Sequence, residues 1–513
     1  MSLKHRLFAL KREIIRLETT LTLKSFGILR GLSAMSFSRR SFLRTAGGAY
    51  AAAASSPLFT ALSSAGATPQ AGEDGGNPIV TGVGLCDPQV RVYDNHVYLY
   101  ATHDADPRSK GFVMNDWWVW HSEDLVHWEQ VSTLRPEQTY WGKPTTECWA
   151  TDAMRRNGKY YFYFSRGPEE IGVVEGDTPR GPWRDPLRKP LIAKGSCPTE
   201  ARDPGILQEE DGTSYIVFGV WDYYIARLNE DMISLAETPR KILLDRKMGP
   251  YGPGKTDDKP FLHKRKGIYY LSWGCYYAMS RNIYGPYVYK DSIIKPDRVA
   301  PIFRDRLIHE SVPADQQSPQ FDPLTLDRHA SFFELYGQSY YICNDQAWPG
   351  TQTFFRDAVI SYLHYRDNGE IETVDLTRIG VGQYDAHQPL LSAANYFATE
   401  NTSVAQCPEG GYEVRGVSSQ SSLAYPNIRN LAPDATISIR ASCTDPQGSA
   451  VEVYSDAPSP ELLLSLHVPS TGSHTSYRTT SGRLKHSTSV SGLRLRFKTA
   501  SAEALRLQWL KFI

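Results

Sequence analysis

Short apolar strands recur along this chain in pairs, each pair opened by a polar head and joined by a tight turn. The copies read "DPQVRVYDNHVYLYATH" from Asp87, "TDAMRRNGKYYFYFS" from Thr151, "DPGILQEEDGTSYIVFG" from Asp203, "DKPFLHKRKGIYYLSWG" from Asp258 and "RHASFFELYGQSYYICN" from Arg328. The turns carry Asn95, Gly158, Gly212, Gly267 and Gly337, residue types that tolerate chain reversal. Aromatic and β-branched residues fill the second strand of each pair. The repeat length is roughly 55–70 residues, near that of propeller blades. A hairpin apolar on both faces is not stable alone. Copies set radially bury one another's faces, so the pattern predicts a five-bladed β-propeller. The segments Val119 to Val131 and Tyr224 to Leu235 read as third and fourth strands with their connections. A β-sandwich with coincidental hairpins is the competing arrangement.

In a propeller the innermost strand of each blade lines the central channel, and the strand starts converge at one mouth. Three of the five heads are aspartates, Asp87, Asp203 and Asp258. An acidic residue at a strand start usually caps a turn. Three at matched positions crowd carboxylates, which is costly unless their shifted pKa values are used. One carboxyl as proton donor and another as base suits glycoside hydrolysis, and a separation of about 6.5–9.5 Å leaves room for the water of an inverting reaction. Three carboxylates also suit calcium.

Composition narrows the class. Aromatic residues make up 12% of 513, with 30 Tyr and 11 Trp, which fits a β-rich core or a carbohydrate binder. The formal net charge is zero and gives no footprint for nucleic acid. Of 56 Lys+Arg and 56 Asp+Glu, 10 and 2 fall in Met1–Ala67, leaving 46 against 54. That basic segment resembles a twin-arginine export signal, with Ser38 to Arg44 as the motif, Thr45 to Leu62 as a weakly apolar stretch and Ala65-Gly66-Ala67 for cleavage. It is too short in apolar residues for a membrane span. Met35, just before the motif, suits the start of such a signal. The expected location is periplasmic or extracellular. The seven cysteines are scattered without a CxxC pair, so no zinc site is expected. Cys407 and Cys443 are a candidate disulfide after export.

From Pro78 to Gly380 the chain resembles glycoside hydrolase family 43, on the heads quoted above and the phrases "SEDLVHW", "NGKYYFYF", "LNEDMISL" and "LHYRDNGEI". The arabinofuranosidase and xylosidase branches are the most similar. The resemblance implies a five-bladed propeller, Asp87 as general base, and Asp203 as the residue that tunes and orients the acid. The general acid of the family is a glutamate two residues before a proline, and Asp258 holds that slot ahead of Pro260. The missing methylene retracts the carboxyl, and misplacement by about 1 Å can cost about a hundredfold in rate. Either Asp258 still serves, or Asp257, Glu200 or Glu147 replaces it, or the site only binds sugar. His329 matches a fifth-blade histidine near water or a bound cation. The resemblance implies no required cofactor and no firmly assigned metal, with a structural calcium near His329 as the one candidate. Trp149 and Arg328 are candidate substrate contacts beside His329.

Beyond a boundary near Gln388 the composition shifts to Ser and Thr with short alternating strands, which predicts a β-sandwich. "LSAANYF", "VPSTGSHTSYRT" and "LRLQWLKFI" resemble carbohydrate-binding module family 6, and Tyr477 matches its late sugar-stacking aromatic. The expected organisation is thus an export signal over 1–67, a catalytic propeller over 76–380 and a sandwich over 388–513. The expected protein is an exported, inverting glycosidase on plant cell-wall carbohydrate. It is first an α-L-arabinofuranosidase on arabinoxylan or arabinan, and second a β-xylosidase or other exo-glycosidase of the same family. A propeller that binds sugar without turnover is the reading from another class.

Overall fold

The computed structural model describes residues 76–301, 322, 324–345, 354–485 and 490–513. Residues 1–67, where an export signal is expected, lie outside the described residues. All five hairpins form where the alternation places them. Blade one has four antiparallel strands, Leu85–Tyr93, His96–Asp104, Met114–Ser122 and Glu129–Leu134. Blade two has three, Cys148–Arg156, Lys159–Arg166 and Glu170–Gly176. Blade three runs Gly205–Gln208, Ser214–Phe218, Tyr224–Arg227 and Arg240–Lys241. Blade four runs Pro260–Arg265, Ile268–Trp273, Tyr276–Ser280 and Val288–Ser292. Blade five has Ala330–Leu335, Gln338–Asp345 and Asp357–Tyr362.

The first strand of each blade packs on the first strand of the next, and that of blade five packs on that of blade one, so the ring closes. The chain also ties its own ends together. The Ile79 N–H donates to the Ala358 carbonyl at 2.9 Å. The Asn77 side chain exchanges two hydrogen bonds with the backbone of Ile360, each 2.8 Å. Residues 77–79 therefore cover the outer edge of blade five, which would otherwise present unpaired N–H and C=O groups. Between blades the faces are apolar. Tyr100, Trp117, Phe162 and Phe164 fill the gap between blades one and two. Phe261, Tyr270, Trp273, Phe332 and Tyr341 fill the seam of blades four and five.

Two expectations need correction. The fourth strand of blade three is Arg240–Lys241, not the segment ending at Leu235. Between the strands, Asn229 and Asp231 bond the Ser234 side chain and hold a turn there. All seven cysteines carry free thiols, and Cys407 and Cys443 are not bridged.

After the propeller the chain forms two facing antiparallel sheets of six and five strands. Their interior holds Val414, Ile439, Val451, Val453, Leu495 and Leu507. The sandwich sits against blade five. The Gln338 amide donates to the carbonyls of Ala394 and Tyr396 at 2.7 and 3.1 Å, and the Tyr396 hydroxyl donates to the Gly337 carbonyl at 3.0 Å. No helix among the described residues is long and apolar enough to cross a membrane.

Candidate active site

Four of the five blades begin with the same local backbone. Asp87, Asp203, Lys259 and Asp327 all have left-handed φ, between 48° and 59°. Three of them directly precede a proline, Pro88, Pro204 and Pro260. A non-glycine residue rarely adopts that conformation, least of all before proline. Neighbouring side chains hold it in place. The Asp87 N–H donates to Asn344 Oδ1 at 2.7 Å, from the end of the second strand of blade five. The Asp203 N–H donates to Ser165 Oγ at 2.8 Å, from the matching place in blade two. The Lys259 N–H donates to Asp203 Oδ2 at 3.0 Å.

These turns deliver Asp87, Asp203, Asp258, Lys259 and Asp327 to one pocket on the axis, walled by Trp149, Arg202, Arg356, His329 and the rim side chain of Phe112. Asp87 is buried and accepts hydrogen bonds from Arg356 Nη1 at 2.9 Å and Asn344 Nδ2 at 2.8 Å, with His329 Nδ1 at 3.4 Å. Burial opposes its charge, but Arg356, His329 and Asn344 outweigh burial and hold the carboxyl well below the usual carboxylate range. Asp258 pairs with Lys259 Nζ and lies 3.4 Å from Arg202 Nη2. Burial again works against the charge, yet Lys259 and then Arg202 hold this carboxyl low as well. Asp203 differs. Burial, reinforced by the negative charge of Asp258, pushes it up to about 6.

The structure sorts the expected site residues. Asp87, Asp203, Asp258, Trp149 and His329 meet at the pocket. The Trp149 ring lies under the Arg202 guanidinium, 5.2 Å from its centroid. Arg328 does not line the pocket. It is 1% exposed and its guanidinium bonds Asp345 at 2.5 Å and the carbonyls of Leu324 and Asn344, so it braces blade five. Tyr477 is buried in the sandwich with its hydroxyl on Glu413, and its ring offers no open platform for a sugar. Among the alternative acids, Glu200 pairs with Arg202 at 3.0 Å and Glu147 lies 3.5 Å from Arg166, both outside the pocket lining. Asp257 is buried behind Asp258, and burial pushes its carboxyl up to about 7 despite Lys259.

Sequence reasoning passed over Arg356, Lys259 and Asp327. Arg356 bonds both Asp87 and the buried Asp104 and lies 3.2 Å from Asp327. Its only sequence signal is a polar residue beside the apolar last strand of blade five. Lys259 stood within the quoted head "DKP". Calcium takes six to eight oxygen ligands. The same pocket presents three cations, Arg202, Lys259 and Arg356; Asp258 is paired with Lys259, and Asp87 is committed to Arg356 and Asn344. That donor set does not fit calcium. Among the described residues, three side chains with metal-ligand spacing occur only at His96, His121 and Glu123, away from this pocket.

A closed propeller with carboxyl groups of opposed protonation tendency on its axis defines a class of glycoside-cleaving proteins. The chain belongs to glycosyl hydrolases family 43, whose model matches residues 76–371. It is a glycosidase, an enzyme that hydrolyses O-glycosyl bonds. The model of carbohydrate binding module family 6 matches residues 392–513. The chain is similar to a xylosidase/arabinosidase of Bacteroides ovatus, 27% identical over 58% of this chain and 97% of that protein. It is also similar to an arabinoxylan arabinofuranohydrolase of Paenibacillus polymyxa, 26% identical over 82% of this chain and 71% of that one. A crystal structure of a family 43 arabinoxylan arabinofuranohydrolase from Bacillus subtilis, in complex with cellotetraose, aligns over 87% of this chain and 99% of its own at 20% identity and TM-score 0.48.

Proposed function

We propose that this protein is an inverting exo-glycosidase of plant cell-wall carbohydrate, foremost an α-L-arabinofuranosidase on arabinoxylan or arabinan. The observation that carries the reading is the meeting of Asp87 and Asp258 in one pocket with Asp203 between their blades. The names of the similar proteins supply the sugars, and β-xylosidase activity is the second choice on the same names.

In the proposed reaction Asp203 and Asp258 act as a pair that holds one proton. That proton passes through Asp258 to the glycosidic oxygen as the bond to the anomeric carbon breaks. Water attacks that carbon from the opposite face and gives its proton to Asp87, which Arg356 and Asn344 keep ionised and oriented. Solvent restores the proton of the pair. No step draws on a cofactor or metal. Trp149 and Phe112 offer apolar ring surface to the sugar. The resemblance of Ser38 to Arg44 to a twin-arginine motif supports export.

Purified protein should release arabinose or xylose from aryl glycosides. Asp87→Asn should keep the fold, read by circular dichroism, and lose release by at least about a thousandfold, the scale expected for removal of an essential base. Full activity in that variant would sink the assignment. A folded wild-type protein that binds these sugars without cleaving them would favour the non-catalytic reading, which the ion pair on Asp258 keeps in view.

A further inference from the structure

Lys259 is an unexpected occupant of this pocket. Its ammonium pairs with Asp258, lies 3.2 Å from Asp257 Oδ2 and lies 3.6 Å from Asp327 Oδ1, with the side chain only 5% exposed. Its backbone N–H donates to Asp203 Oδ2 at 3.0 Å. One residue therefore touches both members of the proton-holding pair, one through a full charge and the other through a neutral amide. It does so at φ 59° immediately before Pro260, a conformation that persists only where the surroundings impose it.

We infer that Lys259 is a positioning residue that decides which carboxyl of the Asp203–Asp258 pair carries the catalytic proton in the free enzyme. The inference rests on the glycosidase reading above. Lys259 and Arg202 both favour a negative Asp258. Among the described residues no cation lies within ion-pair distance of Asp203. A single proton shared by the two therefore stays on Asp203, one carboxyl away from the leaving oxygen. Other charges face the pair from every side. Asp257 and Tyr251 come from the blade-four segment, Asp327 and His329 from blade five, and Glu200 sits behind Arg202. Asp87 and Arg356 complete the ring. Of these, Lys259 alone contacts both carboxyls directly. Sugar hydroxyls entering the pocket compete for its ammonium, which frees Asp258 to take the proton when substrate is present.

The test compares wild type with Lys259→Met and with Lys259→Gln, a second neutral variant should the first fail to fold. Lys259→Arg keeps the charge. In the neutral variants the alkaline limb of kcat/KM on an aryl glycoside should move up by about one pH unit, about tenfold in rate at a fixed pH above the wild-type limb. Lys259→Arg should leave the limb where it is. A limb that stays put in folded neutral variants, or moves equally in Lys259→Arg, overturns the inference. A merely structural lysine would lower thermal stability without moving the limb. Carbon NMR of carboxyl-labelled aspartate reads the same point without substrate. Asp203 should titrate between about pH 4 and 7 in wild type while Asp258 stays ionised, and Asp258 should titrate in that window only in the neutral variants. A protein that cleaves no glycoside would defeat the functional reading, and the NMR titration would still decide the role of Lys259.

Discussion

Asp203 keeps a proton that an exposed aspartate would have lost, because it is buried and faces the negative charge of Asp258. Below about 6 Asp203 retains the proton that the proposed reaction passes to the leaving oxygen, and above it Asp203 loses that proton. The kcat/KM of the wild-type enzyme should therefore fall as pH rises through about 6, one order of magnitude per unit, in a pH-rate profile on an aryl glycoside. A profile flat to pH 9 or so would contradict this electrostatic account. The three aspartates were legible in the sequence because each stands at the polar head of a repeat. Their partners were not. Asn344 and Arg356 reach Asp87 across 257 and 269 residues, a proximity only the closed ring creates. Arg328 looks like a pocket residue because it heads the fifth repeat, and Tyr477 because it matches a family pattern, yet a buried acceptor claims each one, Asp345 and Glu413.

At the scale of elements, the lead-in turns and the stitching of inner strands set where those residues point. Arg91 in the first strand of blade one pairs with Asp152 in that of blade two and donates to the Ile206 carbonyl of blade three at 2.7 Å. Asp152 is fully buried and also accepts the Ile206 N–H at 2.6 Å. Three strands are thus joined beneath the pocket by one ion pair. Asp152→Ala leaves the Arg91 charge without its partner, which costs about 3–5 kcal/mol for a buried pair. Urea unfolding should show that loss, whereas a change under about 1 kcal/mol would mean the ring does not depend on the stitch. The hairpins were readable because two apolar faces and a turn residue are local signals. The outer strands were less so. Arg240–Lys241 is two exposed charged residues whose only reason to be a strand is the neighbour it pairs with, Tyr224 and Ile225.

For the whole molecule, closure of the ring and the docking of the sandwich on blade five make one body of the described residues from Gly76 onward. The repeat count gave the number of blades, since each copy needs a neighbour on both sides. The junction with the sandwich was not readable, because Gln338 and Tyr396 bond backbone carbonyls rather than a partner with a sequence signature. Ring closure has one direct chemical consequence. It places Asp87 of blade one and Asp258 of blade four on the walls of a single pocket, where the proposed reaction makes one the base and the other the proton donor of an inverting displacement. Time-resolved proton NMR of the purified protein acting on an aryl α-L-arabinofuranoside or β-D-xylopyranoside tests this most directly. The sugar first released should have the anomeric configuration opposite to that of the substrate, while release with the configuration retained would contradict the account.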